Sequence, residues 1–198
     1  MRRNLFLFFL AIFMVGCGGT KVERIKVEQI VDLSGRWNDS DARMVAEQMI
    51  KNCLEGQWLT NYLKSNGRNP AVIVGTIDNR SSEHINTDVF IKSLESDLIK
   101  SGKVDFVASK GERGEVREER KEQHEGWTAP ATIKPIGKEF GADYMLRGSL
   151  NTVTDDASGK YIILYQVNLE LVDLTTNQVR WLEQTELKKL VKKSKYSL

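Results

Sequence analysis

The sequence predicts an α/β (α+β) sandwich in which a mixed sheet ends in an antiparallel three-strand meander and helices cover at least one face. Three stretches carry that prediction. Ala71 to Ile77 is a short apolar run rich in β-branched residues, dry enough for a strand covered on both faces. Beyond it the period becomes helical, with Phe90, Ile91, Leu94 and Leu98 falling on one side. Tyr161 to Asp173 then alternates, setting Tyr165, Val167, Leu169 and Leu171 against Gln166, Asn168 and Glu170, as a strand with one wetter face does.

The first residues do not read as part of this fold. Arg2 and Arg3 precede an unbroken apolar run from Leu5 to Val15, too short to span a bilayer comfortably and of signal-peptide length. Met14-Val15-Gly16-Cys17 resembles the lipobox of bacterial lipoproteins, with methionine where leucine is usual. That resemblance implies a signal peptide over 1–16, cleavage before Cys17 and lipid on that cysteine; an uncleaved signal anchor is the alternative. Several acyl chains, at about 0.8 kcal/mol per buried methylene, hold a protein to a membrane without a spanning helix. Gly18, where an inner-membrane retention signal would place aspartate, implies the outer membrane by the same resemblance.

Losing Arg2 and Arg3 with the leader takes the 29 basic residues to 27, equal to the 27 acidic ones. A neutral chain argues against nucleic acid as the partner. With Cys17 lipidated, Cys53 stands alone, so no intramolecular disulfide or cysteine metal cluster forms, and its neighbours place it as an inert thiol on an apolar helix face. Residues 17–31 form the lipidated cysteine and a short tether. At about 3.4 Å per extended residue, some fifteen residues reach only about 50 Å, keeping the folded part near its membrane.

Residues 32–188 read as one globular domain. Asn38 to Asp41 supplies cap candidates and an acidic first turn for a helix whose apolar stripe is Ala42, Val45, Ala46, Met49 and Cys53. After Gly56 the stripe resumes with Trp58, Leu59, Tyr62 and Leu63, giving two helices or one broken helix ending near Gly67. Trp37 beside the helix start is read as a core plug, with an exposed recognition edge formed with Arg36 as the alternative. Asp78 to Asn86 is read as a polar loop, and Asn86 or Thr87 caps the next helix, which stops before Gly102. Val104 to Val107 is a brief strand. Lys110 to Glu125 is almost wholly charged, offers only Val116 as a dry contact, and reads as a solvated, loosely held helix. A further helix is expected to start at Pro135, carrying Ile136 and Phe140. Asp143 to Val153, Tyr161 to Asp173 and the return from Val179 through Thr185 make the meander. Residues 189–198 read as a basic tail, solvated or weakly touching anionic headgroups; Lys188 to Leu198 holds five lysines.

Chemical motifs are sparse. A glycine-rich phosphate loop ending in Gly-Lys-Ser/Thr is missing, which argues against nucleotide. His84 and His124 have no ligand spacing, so neither a metal nor another cofactor is expected beyond the covalent lipid. Ser81, Ser82, Glu83 and His84 offer a nucleophile, an acid and an imidazole in one loop. Adjacent loop residues point apart, however, and the nucleophile elbow Gly-x-Ser-x-Gly is absent. That moves weight from an enzyme to a binding protein.

Asp32-Leu-Ser-Gly-Arg-Trp-Asn-Asp-Ser-Asp-Ala42, Asn79-Arg-Ser-Ser-Glu-His-Ile-Asn-Thr-Asp88, Ser101-Gly-Lys-Val104, Gly141-Ala-Asp-Tyr-Met145 and Val172-Asp-Leu-Thr-Thr-Asn177, in order over nearly the whole mature chain, resemble the LpoB family of penicillin-binding protein activators. The resemblance implies a fold like the amino-terminal domain of TolB and an outer-membrane lipoprotein facing the periplasm. It implies a protein that binds a bifunctional penicillin-binding protein, stimulates peptidoglycan synthesis and takes no small-molecule substrate. Well-studied members cross the periplasm on a long disordered linker, whereas the tether here is short. The alternative function is a non-catalytic structural or secretion-assembly lipoprotein that binds other periplasmic proteins. The residues expected to meet the partner are Arg80, Glu83 and His84, with Arg36; reversing Arg80 and Glu83 together should weaken binding without changing the melting temperature.

Overall fold

The computed structural model describes residues 23–26, 29–157 and 160–192. The leader, Cys17 and residues 193–198, on which several of these expectations fall, lie outside the described residues. Helix α1 runs Asp39–Glu55 and α2 runs Gln57–Asn66, separated at Gly56. Asn38 caps α1 as predicted: its side chain accepts from the Asp41 N–H, and the Asp41 carboxylate accepts from the Asn38 N–H. Strand β1 spans Ala71–Arg80, α3 Thr87–Ser101 with Asn86 as its cap, β2 Asp105–Phe106 and α4 Lys110–Glu122. The meander follows as β3 (Tyr144–Ala157), β4 (Lys160–Asp173) and β5 (Val179–Lys192).

One five-stranded sheet has the order β2-β1-β3-β4-β5. Strands β2 and β3 flank β1 in parallel, and β3, β4 and β5 pair antiparallel, so the sheet is mixed as the sequence predicts. Helices α1, α2 and α3 cover one face. The core between them and the sheet is dry: Ala46, Met49, Phe90 and Leu94 meet Leu146, Tyr165 and Leu169, every one of them 0% exposed. Each such large side chain contributes about 1.5–3 kcal/mol. Cys53 sits in this core, and burial pushes its thiol up to about 12, so it is unreactive. Trp37 plugs the end of the core against Phe90 and Tyr165, with ring centroids 6.2 and 5.5 Å away.

Three sequence expectations are corrected. Asp78, Asn79 and Arg80 are strand rather than loop: past an irregularity between Val74 and Ile77, β1 stays paired with Ser149, Leu150 and Asn151 of β3. No helix starts at Pro135. A 3-10 turn forms earlier, at Pro130–Thr132, while Gly137 adopts φ +78° and Ile136 and Phe140 remain more than half exposed, so neither backbone nor burial supports a helix there. Finally, 189–192 are the end of β5 rather than a basic tail, and Lys189 is buried. Helix α4 is as solvated as its composition predicts, with no buried residue. Ion pairs tie it down: Lys92 with Glu112, and Arg117 and Arg120 with Glu139. Those cations hold both carboxyls down at about 2.

Candidate functional site

Because side chains alternate across a strand, the residues between the core positions of β1, β3, β4 and β5 point away from the helices. On this opposite face Asp78, Arg80, Arg147, Ser149, Asn168 and Leu182 line an open groove of about 460 Å³. Arg80 pairs with Asp78 at 3.2 Å and Arg147 with Glu170 at 2.7 Å, and the two arginine side chains are 63% and 56% exposed. Ion pairs this open hold their partners weakly, so a protein carboxylate arriving from outside can replace Asp78 or Glu170 at little cost. Leu182, 66% exposed beside them, adds an apolar contact. The strand extension that overturned the loop assignment of Arg80 is what places its side chain on this face.

Glu83 does something else. The segment Ser81–Asn86 is folded by Asn79, whose side-chain oxygen accepts from the Ser81 N–H and hydroxyl and whose amide donates to the Glu83 and Ile85 carbonyls. This turns the Glu83 carboxylate inward. It accepts the Tyr165 hydroxyl at 2.7 Å and the Trp37 N–H at 3.3 Å. Burial and the adjacent carboxylate together raise the Tyr165 hydroxyl far above its ordinary value. The expectation that Glu83 is an exposed contact is therefore corrected: it joins the loop to β4 and to the start of α1. Glu83→Ala is expected to destabilise the protein by about 1–3 kcal/mol in urea unfolding, with Glu83→Gln costing less because an amide oxygen still accepts. Reversing Arg80 together with Glu83 will therefore shift the melting temperature.

His84 is exposed beside it. The serine, acid and imidazole of this loop are not assembled for nucleophilic catalysis, since the Ser81 hydroxyl donates to Asn79 at 2.6 Å and the Glu83 carboxylate faces Tyr165. Among the described residues no group of three or more His, Cys, Asp or Glu could hold a metal, and no helix is long and apolar enough to cross a membrane.

Arg36 is exposed too, but its backbone belongs to a clasp that sequence reasoning missed. The Lys189 ammonium reaches Asp41 at 2.6 Å, Asp32 at 2.7 Å and the Arg36 carbonyl at 3.0 Å. Asp32 also accepts the Gly35 N–H, and Gly35 sits at φ +70° with the Val191 side chain where its Cβ would be, so only glycine fits this turn. The block from Asp32 to Asp41 thus locks the start of the domain to the end of β5. A visible signal was the alternation of β5 itself: Trp181, Glu183, Thr185 and Leu187 take the inward phase, and Lys189 follows in it. Asp143 is a second hub, accepting from the Tyr62 hydroxyl, the Ala71 N–H and, in two bonds, Arg68. In the block from Val172 to Asn177, the Asp173 side chain accepts the Thr175 and Thr176 N–H groups and closes the turn into β5.

The sequence profile described as peptidoglycan-synthase activator LpoB matches residues 41–187. No curated protein matches the sequence significantly. Among solved structures, the LpoB C-terminal domain from Escherichia coli is similar at 15% identity over 77% of this chain and 99% of that one, with a TM-score of 0.36. The solution structure of E. coli LpoB aligns at 13% identity over 92% of this chain and 85% of that one, TM-score 0.41. The C-terminal domain from Salmonella enterica gives 16% identity, 66% and 92% coverage and a TM-score of 0.34.

Proposed function

Because the chain belongs to the peptidoglycan-synthase activator LpoB family, we propose that it is an outer-membrane lipoprotein, anchored through Cys17, that docks on a bifunctional penicillin-binding protein and stimulates it without catalysing a reaction itself. The family match over residues 41–187 carries this reading. The activator works by binding the active state of the synthase more tightly than the resting state, and stimulation can be no larger than that difference in affinity. No cofactor takes part. The short tether requires the synthase, or the part of it that is bound, to come near the membrane that holds the lipid.

Docking falls on the open face of the sheet. Its arginines are themselves exposed, Arg80 held by an exposed Asp78 and Arg147 by a half-buried Glu170, and its apolar Leu182 is uncovered. Arg36 and His84 serve as outlying contacts, while Glu83 supports the loop from within. The test is to purify the lipoprotein from detergent-solubilised envelope and to measure synthase turnover with and without it. A co-purifying penicillin-binding protein whose activity rises supports the reading; recovery of transport components alone assigns the protein to secretion assembly and overturns it. Replacing Arg80 and Arg147 with glutamine is expected to weaken synthase binding about tenfold, with unfolding free energy changed by less than about 1 kcal/mol because both side chains are exposed and no like-charge contact is created. Unchanged affinity in calorimetry moves the site off this face.

A further inference from the structure

Strand β5 is an edge, and among the described residues nothing pairs with its outer side. It is 14 residues long, and an edge of that length presents a row of unpaired N–H and C=O groups that can template another strand. The charges along it are ordered. Its outward-facing side chains are Leu182, Gln184, Glu186, Lys188, Leu190 and Lys192, so opposite charges stand one on each side of Leu187. On the helix side Leu187 opens into a groove of about 500 Å³ with Met44, Val45, Gln48 and Lys51 of α1, where Met44 is 47% exposed.

We propose that β5 is a self-association edge: two copies of this chain pair antiparallel through β5 about a two-fold axis at Leu187, joining their sheets into one of ten strands. A two-fold interface must be self-complementary, and this edge is. Centred on Leu187, the pairing sets Glu186 of each copy opposite Lys188 of the other, twice by symmetry, while Leu187 meets its own copy beside the exposed Met44 side chains of the two α1 helices. Slipping the register by two in either direction places Glu186 against Glu186 or Lys188 against Lys188. Slipping it by one sends every side chain to the wrong face. Charge thus rejects both neighbouring registers, and the register centred on Lys189, which would pair Glu186 with Lys192, overlaps only residues 186–192 of β5 and so forms a shorter ladder. A two-fold axis perpendicular to the sheet leaves both open faces on the same side, so the pair presents two Arg80 and Arg147 grooves together and can bind a partner with the gain that two linked sites bring.

The mass of the full chain in detergent, with no synthase present, tests this by native mass spectrometry or sedimentation, independently of the docking partner. The unaltered protein is expected to be dimeric at tens of micromolar. Glu186→Lys or Lys188→Glu alone makes two like-charged contacts and is expected to weaken the dimer about tenfold, whereas the double swap restores it. Both side chains are exposed, so thermal melts of the three variants should match the parent. A monomeric parent, single variants that dimerise normally, a swap that fails to restore pairing, or open-ended larger assemblies would each overturn the proposal.

Discussion

Replacing Lys189 with alanine is expected to remove about 3–5 kcal/mol of stability, because it leaves a buried carboxylate with no counter-charge. Asp41 is 7% exposed and Asp32 36%, so the Asp41 contact carries the larger share and the Asp32 contact is partly screened by water. The Arg36 carbonyl loses its donor as well. For a domain of this size the melting temperature should fall by roughly 6–20 °C, readable by circular dichroism. A fall of only a degree or two would mean that the clasp is a surface pair in solution. The pH dependence has two signs. Burial disfavours the Lys189 charge, but the hydrogen bonds it donates to Asp32 and Asp41 outweigh that, so the ammonium titrates above its ordinary 10.5. Its contribution is complete below that value and is lost as pH rises through the folded-state value. The Asp32 carboxyl is held below 3.8 by the Lys189 hydrogen bond, so its contribution is present above 3.8 and is lost as pH falls.

Asp143→Ala is the second large effect, expected to cost about 2–4 kcal/mol. It removes the acceptor of the Tyr62 hydroxyl and of the Ala71 N–H, which starts β1. Arg68 contributes less to that total, since its side chain is 43% exposed. Burial raises the Asp143 carboxyl, yet the bonds from Arg68, Ala71 and Tyr62 prevail and hold it below its ordinary value. The stabilisation is therefore fully present above about pH 4 and lost progressively as pH falls through the folded value. Urea unfolding of Asp143→Asn across this range checks the assignment, since the variant should lose less stability on acidification than the parent. Parallel acid curves for the two would place the acid sensitivity elsewhere, with Asp173, whose carboxyl is lowered in the same direction, the next residue to vary.

The sequence blocks that carry the family resemblance have roles in the fold that can be stated in physical terms. Asp32 to Asp41, Gly141 to Met145 and Val172 to Asn177 each centre on a carboxylate that satisfies backbone groups or a buried cation, so these blocks describe how the domain is held closed. They identify the family without locating its partner. The proposed docking face draws on both kinds of position: Arg80 lies in the Asn79–Asp88 block, whereas Arg147 and Leu182 belong to none.

By itself the sequence determined the alternation of β4, the helical phase of α1 and α3, the short stretches in which their caps lie (Asn38 to Asp41, and Asn86 or Thr87), an interruption at Gly56, the buried Cys53 and the bareness of α4. All of these follow from spacing over a few residues, where side-chain period and backbone preference act alone. It did not determine where β1 ends, whether a helix follows Pro135, or which charged residues are buried. Those depend on partners far along the chain: Asn151 across the sheet for Arg80, Tyr165 at 82 positions' distance for Glu83, and Asp41 at 148 for Lys189. A charge reads as solvent-facing in any local window, and only the folded chain brings it an opposite charge or a hydrogen-bond donor strong enough to make its burial favourable.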